Sequence, residues 1–148
     1  MKMIQVQMLD RHAGADWWKK IIQHFVKQGD EFEIRCWNEE HEAIKKALSH
    51  GRLSQDESHF EKSIKGVVSE QMLKELLAAP ERTDQTIEHK MTEYFTIMIK
   101  DKISSEHDGT ELYLFNLSDH DVEIFNEIMA PYRKSFSMSI EEQSRENL

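Results

Sequence analysis

The chain has few of the residues that staple, break or tightly turn a backbone. One cysteine, Cys36, in 148 residues excludes an internal disulfide and fits a reducing compartment. Two prolines and five glycines exclude collagen-like and linker-rich chains. They also leave little material for the glycine-rich loops that cradle phosphates, so nucleotide-dependent catalysis is disfavoured. No apolar run approaches the roughly 18–20 residues of a membrane span. The segment Met1–Asp10 lacks the apolar stretch and cleavage site of a secretory signal. These absences predict a cytoplasmic protein with no membrane partner.

What is present is enough for one core. Hydrophobic residues make up 39% and charged residues 32%, with three Trp, three Tyr and seven Phe. That is polar for a globular chain but not a disordered composition. The length is that of one domain.

The net charge of −9 is unevenly placed. Residues 1–74 carry 12 acids and 12 bases, whereas residues 75–148 carry 16 acids and 7 bases. Between Asp101 and Met129 the only base is Lys102, against Asp101, Glu106, Asp108, Glu111, Asp119, Asp121, Glu123 and Glu127. Such a field repels nucleic acid and anionic lipid, so direct nucleic-acid binding is not expected. It attracts basic proteins and speeds their association. The competing reading is a solubilising surface.

Periodicity supplies the elements. Ile4, Val6 and Met8 alternate with Gln5 and Gln7, which suggests a strand over Met1–Leu9. Trp17, Ile21, Ile22, Phe25 and Val26 recur at helical spacing up to Gly29, predicting a helix over 15–28. Phe32, Ile34 and Cys36 alternate with Glu31, Glu33 and Arg35 as a half-buried strand. Asn38 is placed as the cap of a helix stopped by Gly51, and Arg52–His59 reads as a loop. A strand over Lys62–Val68 precedes a helix over Glu70–Ala79, capped by Ser69 and closed by Pro80. Glu81–Lys90 is a polar connection.

Thr92–Ile103 and Glu111–Leu117 form the two arms of a hairpin, with Asp108-Gly109 in the turn. Ser118 and Asp121 have capping-box spacing ahead of a helix with Val122, Phe125, Ile128 and Met129 inward, ended by Pro131. The expected order is β-α-β-α-β-α-β-β-α. It forms one α+β domain over 1–134, with a four- or five-stranded, mostly antiparallel sheet and about four helices. A polar tail, 135–148, is expected to be frayed or helical.

Chemistry-bearing groups are sparse. Asp119, Glu123 and Glu127 fall at i, i+4 and i+8. They share a helix face at a mutual cost of roughly 0.2–0.5 kcal/mol per pair. Eight histidines, His12, His24, His41, His50, His59, His89, His107 and His120, show no recognised ligand spacing. His41-Glu42 lacks the second histidine of the zinc-protease helix, and Cys36 has no CxxC companion. Cys36 in a strand beside Ile34 and Trp37 reads as a buried structural thiol. No G-x-S-x-G motif occurs. Trp17 and Trp18 are adjacent and so point about 100° apart on a helix. One of them is therefore expected at a boundary, with Trp18 placed under the Arg52–His59 loop.

The stretches Asp16-Trp17-Trp18-Lys19-Lys20 and Glu33-Ile34-Arg35-Cys36-Trp37-Asn38-Glu39-Glu40 resemble those of small cytoplasmic immunity proteins of Gram-positive bacteria, the antitoxins of LXG-type polymorphic toxins. Length, acidity and α+β make-up run with that resemblance, and no family residue transfers to a numbered position. The resemblance implies binding to the toxic domain of a cognate toxin, frequently a nuclease. A nuclease presents a basic cleft, which an acidic inhibitor can occupy. The expectation is a non-enzymatic immunity protein that contacts a basic toxin domain through Glu106, Asp108, Glu111, Asp119, Glu123 and Glu127, with no catalytic residue, metal or cofactor. The alternatives are a small metal-dependent hydrolase using the histidine–carboxylate pairs, and a regulatory module with an apolar ligand pocket.

Overall fold

A computed structural model describes residues 1–10, 13–55, 59–78 and 90–143. The first element, β1 (Lys2–Met8), places Ile4 and Val6 inward, and α1 (Asp16–Phe25) follows it. β2 (Glu31–Trp37) leads to α2 (His41–Leu48), the short strand β3 (Gly51–Leu53) and β4 (Glu61–Val67). After α3 (Glu70–Ala78), three strands run in succession: β5 (Thr96–Ile99), β6 (Ile103–Glu106) and β7 (Glu111–Leu117). α4 (Asp119–Met129), a 3-10 segment (Ala130–Ser135) and β8 (Phe136–Glu142) complete the order.

The fold is α+β, and all eight strands join one open antiparallel sheet in the order β3-β4-β2-β5-β6-β7-β1-β8. The expected four or five strands fall short for three physical reasons. First, Thr92–Ile103 is not one strand. It bends at Asp101, whose φ is +62°, and Lys102 N–H closes the turn on the Ile99 carbonyl at 3.0 Å. No glycine or proline marks that turn. Second, the presumed loop after Gly51 supplies β3 at one edge. Gly51 sits there because a Cβ would lie 2.5 Å from the Lys65 carbonyl oxygen. Third, the presumed polar tail from Ser135 pairs with β1 in unbroken register from Phe136 to Glu142. Pro80 and most of Glu81–Lys90 lie outside the described residues, as do 144–148.

Alternation separates the sheet into two faces. On one face the register lines up Gly66, Phe32, Ile99, Ile103, Leu114, Ile4 and Ile140 across the strands. The helices bury their apolar sides in this layer: Ile21 and Ile22 of α1, Ala43 and Ala47 of α2, Met72 and Leu76 of α3, Phe125 and Met129 of α4. The other face carries Glu33, Arg35, Met98, Ser104, Tyr113 and Gln5, with no helix over it among the described residues.

Both tryptophans are fully buried, contrary to the expectation that one lies at a boundary. α1 is flanked by α3 and α4 above the sheet, so two directions 100° apart both point inward. Trp17 meets the Phe136 ring at 4.5 Å. Trp18 donates its indole N–H to Ser105 Oγ at 3.1 Å, away from the Arg52 segment.

Candidate partner-binding surfaces

The six acids expected to meet a partner divide into two groups. Glu106 and Glu111 close the β6–β7 hairpin and oppose each other on the uncovered face. Like charges directly opposite are destabilising, and here neighbours absorb the charge. His107 Nδ1 lies 3.0 Å from Glu111 Oε2. Tyr113 donates its hydroxyl to the other Glu111 oxygen, and Gln5 Nε2 reaches the Tyr113 hydroxyl at 3.5 Å. Donation to Glu111 pushes the Tyr113 phenol up to about 12. The Glu111 side chain is only 19% exposed.

Between these strands His107, Asp108 and Gly109 all have positive φ. The Asp108 carbonyl accepts from Met91 N–H (2.8 Å) and Thr92 N–H (3.3 Å), and its N–H donates to Phe95. One Asp108 carboxylate oxygen is buried. The Asp108 main chain and the Glu111 side chain hold this turn to its surroundings.

Asp119, Glu123 and Glu127 stand differently. α4 starts with a complete capping box: Asp121 N–H donates to Ser118 Oγ (3.1 Å) and Ser118 N–H to Asp121 Oδ2 (3.0 Å). The box and the inward Phe125 and Met129 orient the helix so that all three acids are exposed. Asp119 pairs with Lys2 at 3.0 Å while its side chain stays 86% exposed. That pairing holds the Lys2 ammonium above its usual value. Glu123, 75% exposed, has His120 at 3.7 Å.

The two groups do not make one patch. β7 separates them along the strand by seven residues, about 20 Å. They also lie on opposite sides of the sheet, since α4 packs on the helix-covered face. The fold therefore brings Asp119, Glu123 and Glu127 together, and separately Glu106 and Glu111, with Asp108 built into the turn between them.

A further acidic feature lies beside α4. Lys2 is the cross-strand neighbour of Glu142, so the α4 N-terminus and the end of β8 share one cation. Glu141 and Glu142 belong to this strand and not to the expected frayed or helical tail. The alternation of Phe136, Met138 and Ile140 with Ser137 and Ser139 carried the strand signal.

Other chemistry is thinly represented. Burial pushes the Cys36 thiol up to about 12, which suits a packed group and not a nucleophile. Among the described residues no three His, Cys, Asp or Glu side chains come together as a metal-holding group. His50 contacts Glu75, and His12 and His89 lie outside the described residues. A cleft of about 680 Å³ opens on the uncovered face. Arg52, Lys65, Lys100, Glu31 and Glu33 line it with Leu53, Val67 and Met98. Its charges are mixed, and Lys100 already pairs with Glu31 at 3.1 Å. No described helix is long and apolar enough to cross a membrane.

The class the fold and surfaces define is an open antiparallel α+β sheet, covered by helices on one side and acidic along one flank. No protein-family model matches the sequence, and no curated protein and no solved structure matches it.

Proposed function

We propose that this chain is a non-enzymatic immunity protein that binds and neutralises a basic toxin domain, of nuclease type, in the cytoplasm. The observation that carries the reading is the stripe on α4. Asp119, Glu123 and Glu127 are all exposed on one oriented helix face, where, among the described residues, Lys2 pairs with Asp119 and His120 lies beside Glu123. The contact surface is accordingly narrowed from six acids to these three. Glu111 is already committed to the β6–β7 turn through His107 and Tyr113, and detaching it costs what a partner would return. Glu106 lies opposite it on the same face, and the Asp108 carboxylate is half-buried in the turn between them. Exposed like charges steer an oppositely charged partner and act chiefly on its association rate, an effect that salt screens.

The test begins with capture from native lysate at low and then moderate salt. A basic protein retained at low salt is then expressed in a heterologous host with and without this chain. Restored growth on co-expression is expected. Reversal of Asp119, Glu123 and Glu127 to lysine is expected to abolish the restoration and to slow association on the order of tenfold or more at low salt. Undiminished protection by that folded triple variant removes α4 from the contact. A chain that protects against no captured protein removes the immunity reading itself.

A further inference from the structure

The sheet ends in two unlike edges. β3 is three residues long, and its apolar Leu53 is half exposed. β8 is seven residues long, regular, and free of proline, glycine and lysine. Protein sheets usually blunt a long edge with charge, proline, a bulge or a covering loop, and the charges of β8, Glu141 and Glu142, sit at its C-terminal end and leave Phe136–Ile140 without one. Among the described residues no strand lies beyond β8.

The hydrogen-bond phase of this edge follows from its two ends. Gln143 N–H donates to the Met1 carbonyl (2.9 Å), and Leu9 N–H to the Ser135 carbonyl (2.8 Å). An antiparallel ladder alternates, so the bonded pairs with β1 are Met3–Glu141, Gln5–Ser139 and Gln7–Ser137. Met138, Ile140 and Glu142 turn their N–H and C=O groups outward. The side chains of Met138 and Ile140 continue the apolar rows of the helix-covered face. Met138 extends the row through Leu112 and Val6, and Ile140 the row through Leu114 and Ile4. Coverage runs out along that row, because Ile4 is fully buried and Ile140 is 42% exposed.

We propose that β8 is a docking edge that takes an extended basic segment of the partner as a ninth strand. The inference rests on the immunity reading and names its mode of contact. The occupant carries β-branched apolar residues opposite Met138 and Ile140, and Lys or Arg beside Glu141 and Glu142. Charge decides between occupants. A second copy of this chain would bring its own Glu141 and Glu142, its own α4 stripe and a net charge of −9 to the same edge. A basic strand meets those carboxylates as counter-charges, and main-chain hydrogen bonds supply the affinity.

The probe is an amidated seven-residue peptide, two lysines followed by alternating valine and threonine, added at millimolar concentration. Amide hydrogen exchange reads the result. The expected outcome is slowing on the order of tenfold at Met138, Ile140 and Glu142, with Ser137, Ser139 and Glu141 unchanged because they already donate to β1. A peptide with glutamates in place of the lysines is expected to give no slowing. Ile140→Pro removes an outward N–H without touching the β1 ladder, a position where an edge strand tolerates proline. It is expected to lose the effect, and Ile140→Lys, which keeps the backbone donor but places a cation on the edge, is expected to weaken it.

Equal slowing by the acidic peptide, no slowing by the basic one, or the same slowing in Ile140→Pro overturns the inference. So does slowing that grows with protein concentration and no peptide, which would assign the edge to a second copy. If Ile140→Pro still protects cells from the toxin, the edge inference fails while the immunity reading stands. If the basic peptide protects the edge but no toxin is neutralised, the immunity reading fails alone.

Discussion

Gly109 shows how one position ties a turn to the core. Its φ is +89°, and a Cβ there would lie 2.7 Å from Met91 Cβ and 3.0 Å from Trp18 Nε1. Gly29 has a similar φ of +97° but open space around it. Gly109→Ala therefore incurs both backbone strain and a clash, while Gly29→Ala incurs only the strain. Urea unfolding is expected to show a loss of about 1 kcal/mol for Gly29→Ala and about 2–4 kcal/mol for Gly109→Ala. Equal losses would mean that the indole and Met91 shift aside freely. The Asp108-Gly109 pair was legible as a turn from sequence. That the turn also closes over Trp18 was not, since the contact joins residues 91 positions apart.

At the scale of elements, the ends of α4 are set locally and its surroundings are not. Ser118 and Asp121 cap the helix through mutual hydrogen bonds within four residues, and this arrangement is readable from spacing alone. Ser118→Ala is expected to cost about 1 kcal/mol and to lower Tm by about 3 °C. Glu127→Gln, far from the cap and exposed, is expected to leave Tm within a degree or so. An unchanged Tm in Ser118→Ala would show that tertiary packing alone holds the start of α4. The β5–β6 hairpin is the opposite case. Its turn has Asp101 at positive φ between Lys100 and Lys102, and Lys102 is held by Asp30 at 2.8 Å. Asparagine and aspartate tolerate that conformation, but a lone Asp between lysines is no signal against a run of β-formers. The run therefore has the pattern of one strand where two exist.

For the molecule as a whole, the shifted groups act in one direction. Lys2 and Lys100 are raised by Asp119 and Glu31. Cys36 is raised from 9.0 to about 12 by burial, and Tyr113 from 10.0 to about 12 by Glu111. Burial also raises Tyr94. In each case the folded value exceeds the unfolded one, so the folded chain keeps protons that the unfolded chain releases. Their stabilising effect is complete below pH 9 and declines as pH rises from 9 toward 12. Thermal melts are expected to show Tm lower at pH 11 than at pH 8 by at least about 3 °C. Cys36→Ala is expected to flatten the first part of that decline, between pH 9 and 10, where its thiol is the group that differs. A Tm that rises or stays level across this window would contradict these assignments.

By itself the sequence determined what depends on neighbours along the chain. The alternation of β1, β2 and β4, the helical stripes of α1 and α4, the Ser118 cap, the hairpin turn at Asp108-Gly109 and the surplus of acid after residue 75 are all local. Tertiary structure alone decided the rest, because each remaining feature depends on what lies beside a residue in space. Burial of both Trp17 and Trp18 required flanking helices on two sides of α1. The short strand β3 required β4 as a template, and β8 required the free edge of β1. Most directly for function, acids that look like one cluster in the chain were divided by the sheet. A seven-residue strand carries the chain across the molecule, and pleating sends Glu106 and Glu111 to the face opposite α4.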